Sequence, residues 1–232
     1  MTRKIVVPVM AGLILAIAQQ AWAGAWSDDF EGASLSSGGW TILQEDNGVI
    51  SLSTDYSHSG DQSVKFTPYD GGQKALALVH SLGLLQQGIL SGWFYDGGYG
   101  MYVHLQATEG TSFDTVALIG VQDWDADYFH ATGGLNDEEE GTTIPRSSGW
   151  HYFEITATST GVTTMIDDNV AGSLAGNYRF DGVMLDVEGP HYSGPSYYFD
   201  DISFTPIPEP ATIALLGTGL VGLARFVRRR RK

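Results

Sequence analysis

The chain of 232 residues contains no cysteine. Disulfides, thiol chemistry, cysteine-ligated zinc and iron–sulfur clusters are thereby excluded, and stability has to come from the core. Positive charge is scarce: 12 Lys and Arg stand against 27 Asp and Glu, a net charge of −15. Eight of those cations lie at the two ends, Arg3 and Lys4 at the start and the rest from Arg225 onward. The stretch 24–205 keeps four basic and 26 acidic residues, a net charge of −22. Such a body repels nucleic acid and anionic lipid and favours cations. Long apolar runs and helical periodicity are also missing between the two ends, and there is no internal repeat.

The ends carry what the middle lacks. Arg3 and Lys4 precede an apolar stretch, Ile5 to Ala18, and Ala21-Trp22-Ala23 supplies an A-x-A cleavage site. That is the pattern of a secretory signal peptide over residues 1–23, cut after Ala23. At the other end Pro208-Glu209-Pro210 is followed by an apolar run, 211–227, and then Arg228, Arg229, Arg230, Arg231 and Lys232. Seventeen residues in a helix reach about 25 Å, the short end of what crosses a bilayer. The basic cluster is expected on the cytoplasmic side. Rigid tripeptide, apolar helix and terminal arginine cluster together closely resemble the PEP-CTERM sorting signal of exopolysaccharide-producing Gram-negative bacteria. The resemblance implies cleavage near Pro208–Pro210 by an exosortase, a transpeptidase-like membrane protease. It covers about the last tenth of the chain and concerns delivery, not activity.

The body between, 24–205, is rich in Gly, Ser, Thr, Tyr and Asp, with short alternating segments broken by turn residues. This predicts one all-β domain, a β-sandwich. Expected strands are Val49–Ser53, Ser63–Thr67, Ala75–His80, Ile89–Tyr95, Met101–Ala107, Asp114–Val121, His151–Ala157, Thr163–Ile166, Gly182–Val187 and Tyr197–Phe204. In the seventh, Phe153 and Ile155 share one face and Tyr152 and Glu154 the other.

The order of several phrases is similar to that of concanavalin A-like jelly rolls. Asp28-Asp29-Phe30-Glu31 opens the domain, and Trp40 follows a glycine turn. Tyr56-Ser57-His58-Ser59-Gly60 leads into a strand, and Gly149-Trp150-His151-Tyr152 precedes a hairpin. Tyr198-Phe199-Asp200-Asp201 closes the domain. Lectin-like and laminin G-like sandwiches and many carbohydrate-binding modules share this order. The resemblance implies neighbouring first and last strands, with a structural calcium where they meet an early loop. Asp29, Glu31, Ser59, Gly60 and Asp200 or Asp201 match those positions, one aspartate of the last pair pointing into the site. Strand-end carboxylates that cap turns would look the same in sequence.

Two other features bear on ligands. Trp93, Tyr95, Tyr102, His104 and Trp124 are candidates for a sugar-stacking platform on one sheet, though such residues also fill sandwich cores. Asp123-Trp124-Asp125-Ala126-Asp127 lacks the glycine and terminal glutamate of an EF-hand loop, and Asp137-Glu138-Glu139-Glu140 is expected to be an exposed acidic loop. Catalysis has less behind it. The Glu-x-Asp-x-x-Glu run of laminarinase-type jelly rolls is absent. Asp186-Val187-Glu188, with His191 and Tyr192 nearby, is the nearest fragment, and no nucleophile elbow is present. The sequence thus reads as an exported, exosortase-sorted surface or extracellular-matrix protein associated with exopolysaccharide. It is expected to be non-catalytic and to bind glycan or calcium. The alternative is a secreted glycosidase or polysaccharide lyase on the same fold.

Overall fold

A computed structural model describes residues 24–208 except 47, 70–72, 98–101, 123–125, 134–138 and 191–195. The expected signal peptide and membrane span lie outside the described residues. Among those described, no helix is long and apolar enough to cross a membrane. Ala25–Thr205 forms one compact unit.

Fifteen strands are described. They are β1 (Trp26–Asp28), β2 (Trp40–Asp46), β3 (Gly48–Ser53), β4 (Ser63–Pro68), β5 (Gln73–Gln86), β6 (Gly88–Asp96), β7 (Tyr102–Glu109) and β8 (Asp114–Val121). They continue with β9 (Asp127–Thr132), β10 (Glu139–Pro145), β11 (Gly149–Ala157), β12 (Gly161–Ile166), β13 (Asn169–Ala175), β14 (Phe180–Pro190) and β15 (Tyr197–Pro206). One sheet has the order β13-β12-β11-β6-β15-β4-β3, with β1 also beside β15; the other runs β10-β9-β8-β7-β14-β5-β2. Every pair with a described register is antiparallel, as in β11 with β6 and β14 with β7.

Alternation explains the layers. Leu90 and Phe94 on β6 and Phe153 and Ile155 on β11 are fully buried. They meet Leu76, Leu78, Val103, Leu105, Leu185 and Val187 of the other sheet in a single core cluster. Burial of that many apolar side chains is the main term holding a cysteine-free domain together.

All ten expected strands are present, and five more join them. The additions β2, β10 and β13 are sheet edges. An edge strand needs no regular apolar face, and β10 begins with two glutamates and ends in proline, residues that edges accept. This corrects the reading of Asp137–Glu140 as loop: Glu139 and Glu140 pair with Ala131 and His130 of β9. The first strand, β1, is three residues long and pairs with Phe204–Ile202, so the first and last strands are neighbours.

Candidate functional site

The outward face of the first sheet is built by pairing register. Trp150 stands opposite Tyr95, and Tyr152 opposite Trp93, across β11 and β6. Their flanking residues, Phe94, His151 and Phe153, turn into the protein, so the four aromatics project together on the other side. Trp93 and Tyr152 have ring centroids 5.5 Å apart, as do Tyr95 and Trp150. Tyr198 of β15 meets Tyr95 edge-on at 6.1 Å, and Tyr56 stacks on Tyr95 at 4.7 Å. His58 lies flat on Trp93, 3.7 Å between centroids. Trp93, Tyr95, Trp150 and Tyr152 all stay half-buried. Glu154, next on the same face of β11, accepts hydrogen bonds from the Tyr152 hydroxyl and from Thr156 Oγ1, both 3.0 Å. Burial is the main cause that raises the Tyr152 phenol above its ordinary value, with the Glu154 and Asp168 charges adding to it.

The loop between β3 and β4 covers one end of this face and is clamped by the residues expected to hold calcium. The backbone N–H groups of His58 and Ser59 donate to Asp200 Oδ2 at 2.7 and 3.2 Å. His58 Nδ1 lies 2.6 Å from Asp201 Oδ2, and Ser59 Oγ donates to Asp201 Oδ1 at 2.7 Å. Both aspartates therefore reach one loop, a correction to strict alternation along β15. The reason is Asp201's left-handed backbone, φ 49°. It falls where β15 changes neighbour, from β4 at Tyr197–Phe199 to β1 at Ile202–Phe204. Glu31 Oε1 accepts from the N–H groups of Asp61 and Gln62 at 2.8 and 2.6 Å. Asp29 Oδ1 accepts from the N–H of Glu31.

Glu31, Asp200 and Asp201 thus meet at the loop that carries Ser59 and Gly60, with Asp29 bonded to the Glu31 N–H, and as arranged their oxygens do not converge on one point. Calcium needs six to eight oxygens converging on a point. Here Asp29, Glu31 and Asp200 accept from backbone N–H groups while Asp201 meets the His58 ring and the Ser59 hydroxyl, and no group of three His, Asp or Glu among the described residues could hold a metal. Asp200 is fully buried. Burial pushes its carboxyl up to about 6, against the pull of the N–H donors of Ser59, His58 and Asp201.

The five expected sugar contacts do not form one platform. Trp93 and Tyr95 belong to the first sheet, whereas Tyr102 and His104 lie on β7 of the second. Trp124 falls outside the described residues, and Tyr102 is described by its backbone only. The miss has a simple cause: sequence alternation assigns a face within a strand and says nothing about which sheet that strand joins. Trp150 and Tyr152, absent from the expected set, complete the aromatic face. Their alternation with His151 and Phe153 was a usable signal. The sorting residue Pro208 is exposed, while Glu209, Pro210, Arg228, Arg229 and Arg230 fall outside the described residues.

The outward face of the second sheet differs. Asp186 pairs in register with His104, and His104 Nδ1 lies 3.7 Å from Asp186 Oδ2. Gln106 bridges Asp186 at 3.4 Å and accepts from Thr115 Oγ1 at 2.6 Å. A Ser–His–Asp grouping also occurs, at Ser147, His151 and Asp167. His151 Nδ1 is 2.6 Å from Asp167 Oδ2, but Nε2 is 2.8 Å from the Ser147 carbonyl and 3.3 Å from its hydroxyl. A carbonyl can only accept, so Nε2 serves it as a donor and offers no lone pair to the hydroxyl. The trio is a clamp between β11, its preceding loop and the β12–β13 turn.

Two packed antiparallel sheets with the first and last strands side by side define a jelly-roll sandwich, and solved structures share it. Over 77% of this chain and 98% of theirs, a laminarinase from Flavobacterium sp. UMI-01 superimposes with a TM-score of 0.51 at 13% identity. A Bacillus subtilis protein of unknown function with a galectin-like fold does so over 78% and 94%, TM-score 0.53 at 9% identity. A sialidase matches 79% of this chain with a TM-score of 0.58 at 10% identity, but this chain spans only 18% of its length. These likenesses establish the fold. No curated protein matches in sequence. Residues 206–231 match the PEP-CTERM protein-sorting motif. The chain is therefore an exported jelly-roll protein, held in the membrane before exosortase cleavage.

Proposed function

We propose that this protein is a non-catalytic glycan-binding component of the cell surface or extracellular matrix, associated with exopolysaccharide. The observation that carries the reading is the half-buried row of Trp93, Tyr95, Trp150 and Tyr152 on one sheet face. Pyranose rings present apolar C–H faces that stack on rings such as Trp150 and Tyr152, while His58 already lies on Trp93 and Tyr56 on Tyr95, and fixed aromatics lose little entropy on binding. Glu154 stands beside them as an acceptor for sugar hydroxyls. The loop bearing His58 is held by hydrogen bonds, so binding should not require calcium.

The test is retention of the detergent-purified chain on the host's exopolysaccharide, with calcium and with chelator. Retention under both conditions, lost in Trp150→Ala, is the expected result. Retention lost with chelator would restore a calcium site, and no retention at all would remove the glycan reading. One observation favours a second reading, glycan cleavage: Asp186 and Glu188 are two residues apart on β14, with His104 paired to Asp186. Release of reducing ends or unsaturated sugars, abolished by Glu188→Gln, would replace binding with catalysis.

A further inference from the structure

We propose that the glycan bound by the aromatic face carries free amino groups, as in a de-N-acetylated hexosamine polymer; the proposal rests on the glycan-binding reading above. Stacking alone does not choose among sugars, since every pyranose has an apolar face. Charge does.

The face is rimmed by carboxylates. Glu154 adjoins Tyr152 on β11, where the phenol donates to it. Asp168 is exposed in the turn between β12 and β13, and its neighbour Asp167 ties that turn to Tyr152 by accepting from the Tyr152 backbone N–H at 2.9 Å. Asp201 holds His58 against Trp93 from the other end, and its side chain is 26% exposed. Lys65 reaches the edge of the face, 5.7 Å from the Tyr198 ring centroid, with its charge already paired. Lys65 pairs with Asp55, and Arg146 makes a two-pronged pair with Asp96. The whole body carries a net charge of −22.

A uronate or sulfated sugar would approach a strongly negative protein at a face with carboxylates on its rim. A sugar ammonium meets two favourable partners there. The Trp150 ring, which Tyr95 and His58 meet in T-shaped rather than stacked contacts, attracts it through its quadrupole. Glu154 and Asp168 offer charge-assisted hydrogen bonds, roughly twice as strong as neutral ones. The long-range field also draws a polycation to the surface and repels a polyanion.

Three oligosaccharides of equal length separate the possibilities: oligomers of glucosamine, of N-acetylglucosamine and of galacturonate. Binding to the detergent-purified full chain is measured by calorimetry at low and at high salt. The glucosamine oligomer should bind about tenfold or more tighter than the N-acetylated one. The galacturonate oligomer should not bind, and the preference should shrink as salt rises. Glu154→Gln, which keeps the side chain's shape, should weaken glucosamine binding more than N-acetylglucosamine binding and so reduce the preference. Trp150→Ala should weaken both, with its melting curve checking that it is folded. Equal or tighter binding of the neutral oligomer would overturn the proposal and leave the glycan reading standing. Tighter binding of galacturonate would overturn it as well. Failure of all three, and of the host polysaccharide, would overturn both.

Discussion

The two sheets bury one face each in a common core and treat their other faces differently. On the first sheet Trp93, Tyr95, Trp150 and Tyr152 keep part of their surface in solvent. On the second, His104, Gln106 and Asp186 are only 6%, 4% and 8% exposed and stand near buried Leu118, Phe129 and Ala131. Residue type would have assigned these roles the other way, since aromatics usually fill cores and polar groups usually meet water. The polar groups tolerate burial because they engage one another, Thr115 to Gln106 and Gln106 to Asp186. The aromatics tolerate exposure because their strand neighbours, Phe94 and Phe153, secure the sheet from beneath. Surface left unburied on rigid strands is surface a ligand can use.

The largest expected effect removes the support under the aromatic face. Asp96, 1% exposed on the inner side of β6, receives both Arg146 Nε and Nη2 at 2.9 Å. Asp96→Ala removes the two-pronged partner of a largely buried guanidinium and should cost about 3–5 kcal/mol, lowering Tm by roughly 10 °C. A calorimetric scan with an unchanged Tm would mean that the sheet does not depend on the pair.

Next in size is the contrast itself. Trp150→Ala should reduce affinity for amine-bearing oligosaccharides about tenfold or more, while His104→Ala should leave it unchanged. Titration calorimetry giving the reverse would move the ligand to the second sheet.

A smaller effect concerns the clamped loop. Gly60 has φ 58°, and a Cβ there would stand 2.4 Å from Glu31 Oε1. Gly60→Ala should cost about 1–2 kcal/mol and increase amide hydrogen exchange at Asp61 and Gln62. Unchanged exchange would show that Glu31 does not hold the loop.

The smallest is a pH effect on the same loop. Burial raises the Asp200 carboxyl from 3.8 to about 6, so the folded state binds its proton at higher pH than the unfolded state does. Its contribution to stability therefore grows as pH falls through about 6 and is lost as pH rises through it. Asp200→Asn should flatten that part of the stability–pH profile measured by urea denaturation. A profile unchanged by the substitution would place the titration elsewhere.

Much of the fold was legible because two-residue alternation is a local property. Phe153 against Tyr152 can be read without knowing any partner strand, and all ten expected strands lie where such patterns occur. Edge strands β10 and β13 escaped because an edge has little apolar pattern to read: β13 is largely exposed and contains Gly172, and β10 opens on glutamates. The candidate site was half legible. Trp93 and Tyr95 belong to it, but their grouping with His104 did not survive, because strand order in a sheet depends on pairings between segments distant in sequence. The meeting of Glu31, Asp200 and Asp201 at the loop that carries Ser59 and Gly60 was readable from motif order. Whether carboxylates face a metal or backbone N–H groups depends on ångström geometry that motif order does not contain.

By itself the sequence determined the sorting signal, the absence of thiol chemistry, the strongly negative body and the all-β class. Each is a property of composition, of short contiguous signals or of local periodicity. The tertiary structure alone decided which aromatics share a face, that Asp200 and Asp201 both grip the His58 loop, and that Asp186, His104 and Gln106 form one buried network. Those depend on cross-strand register and on one left-handed residue in β15, and register is settled only when two sheets compete for the same core.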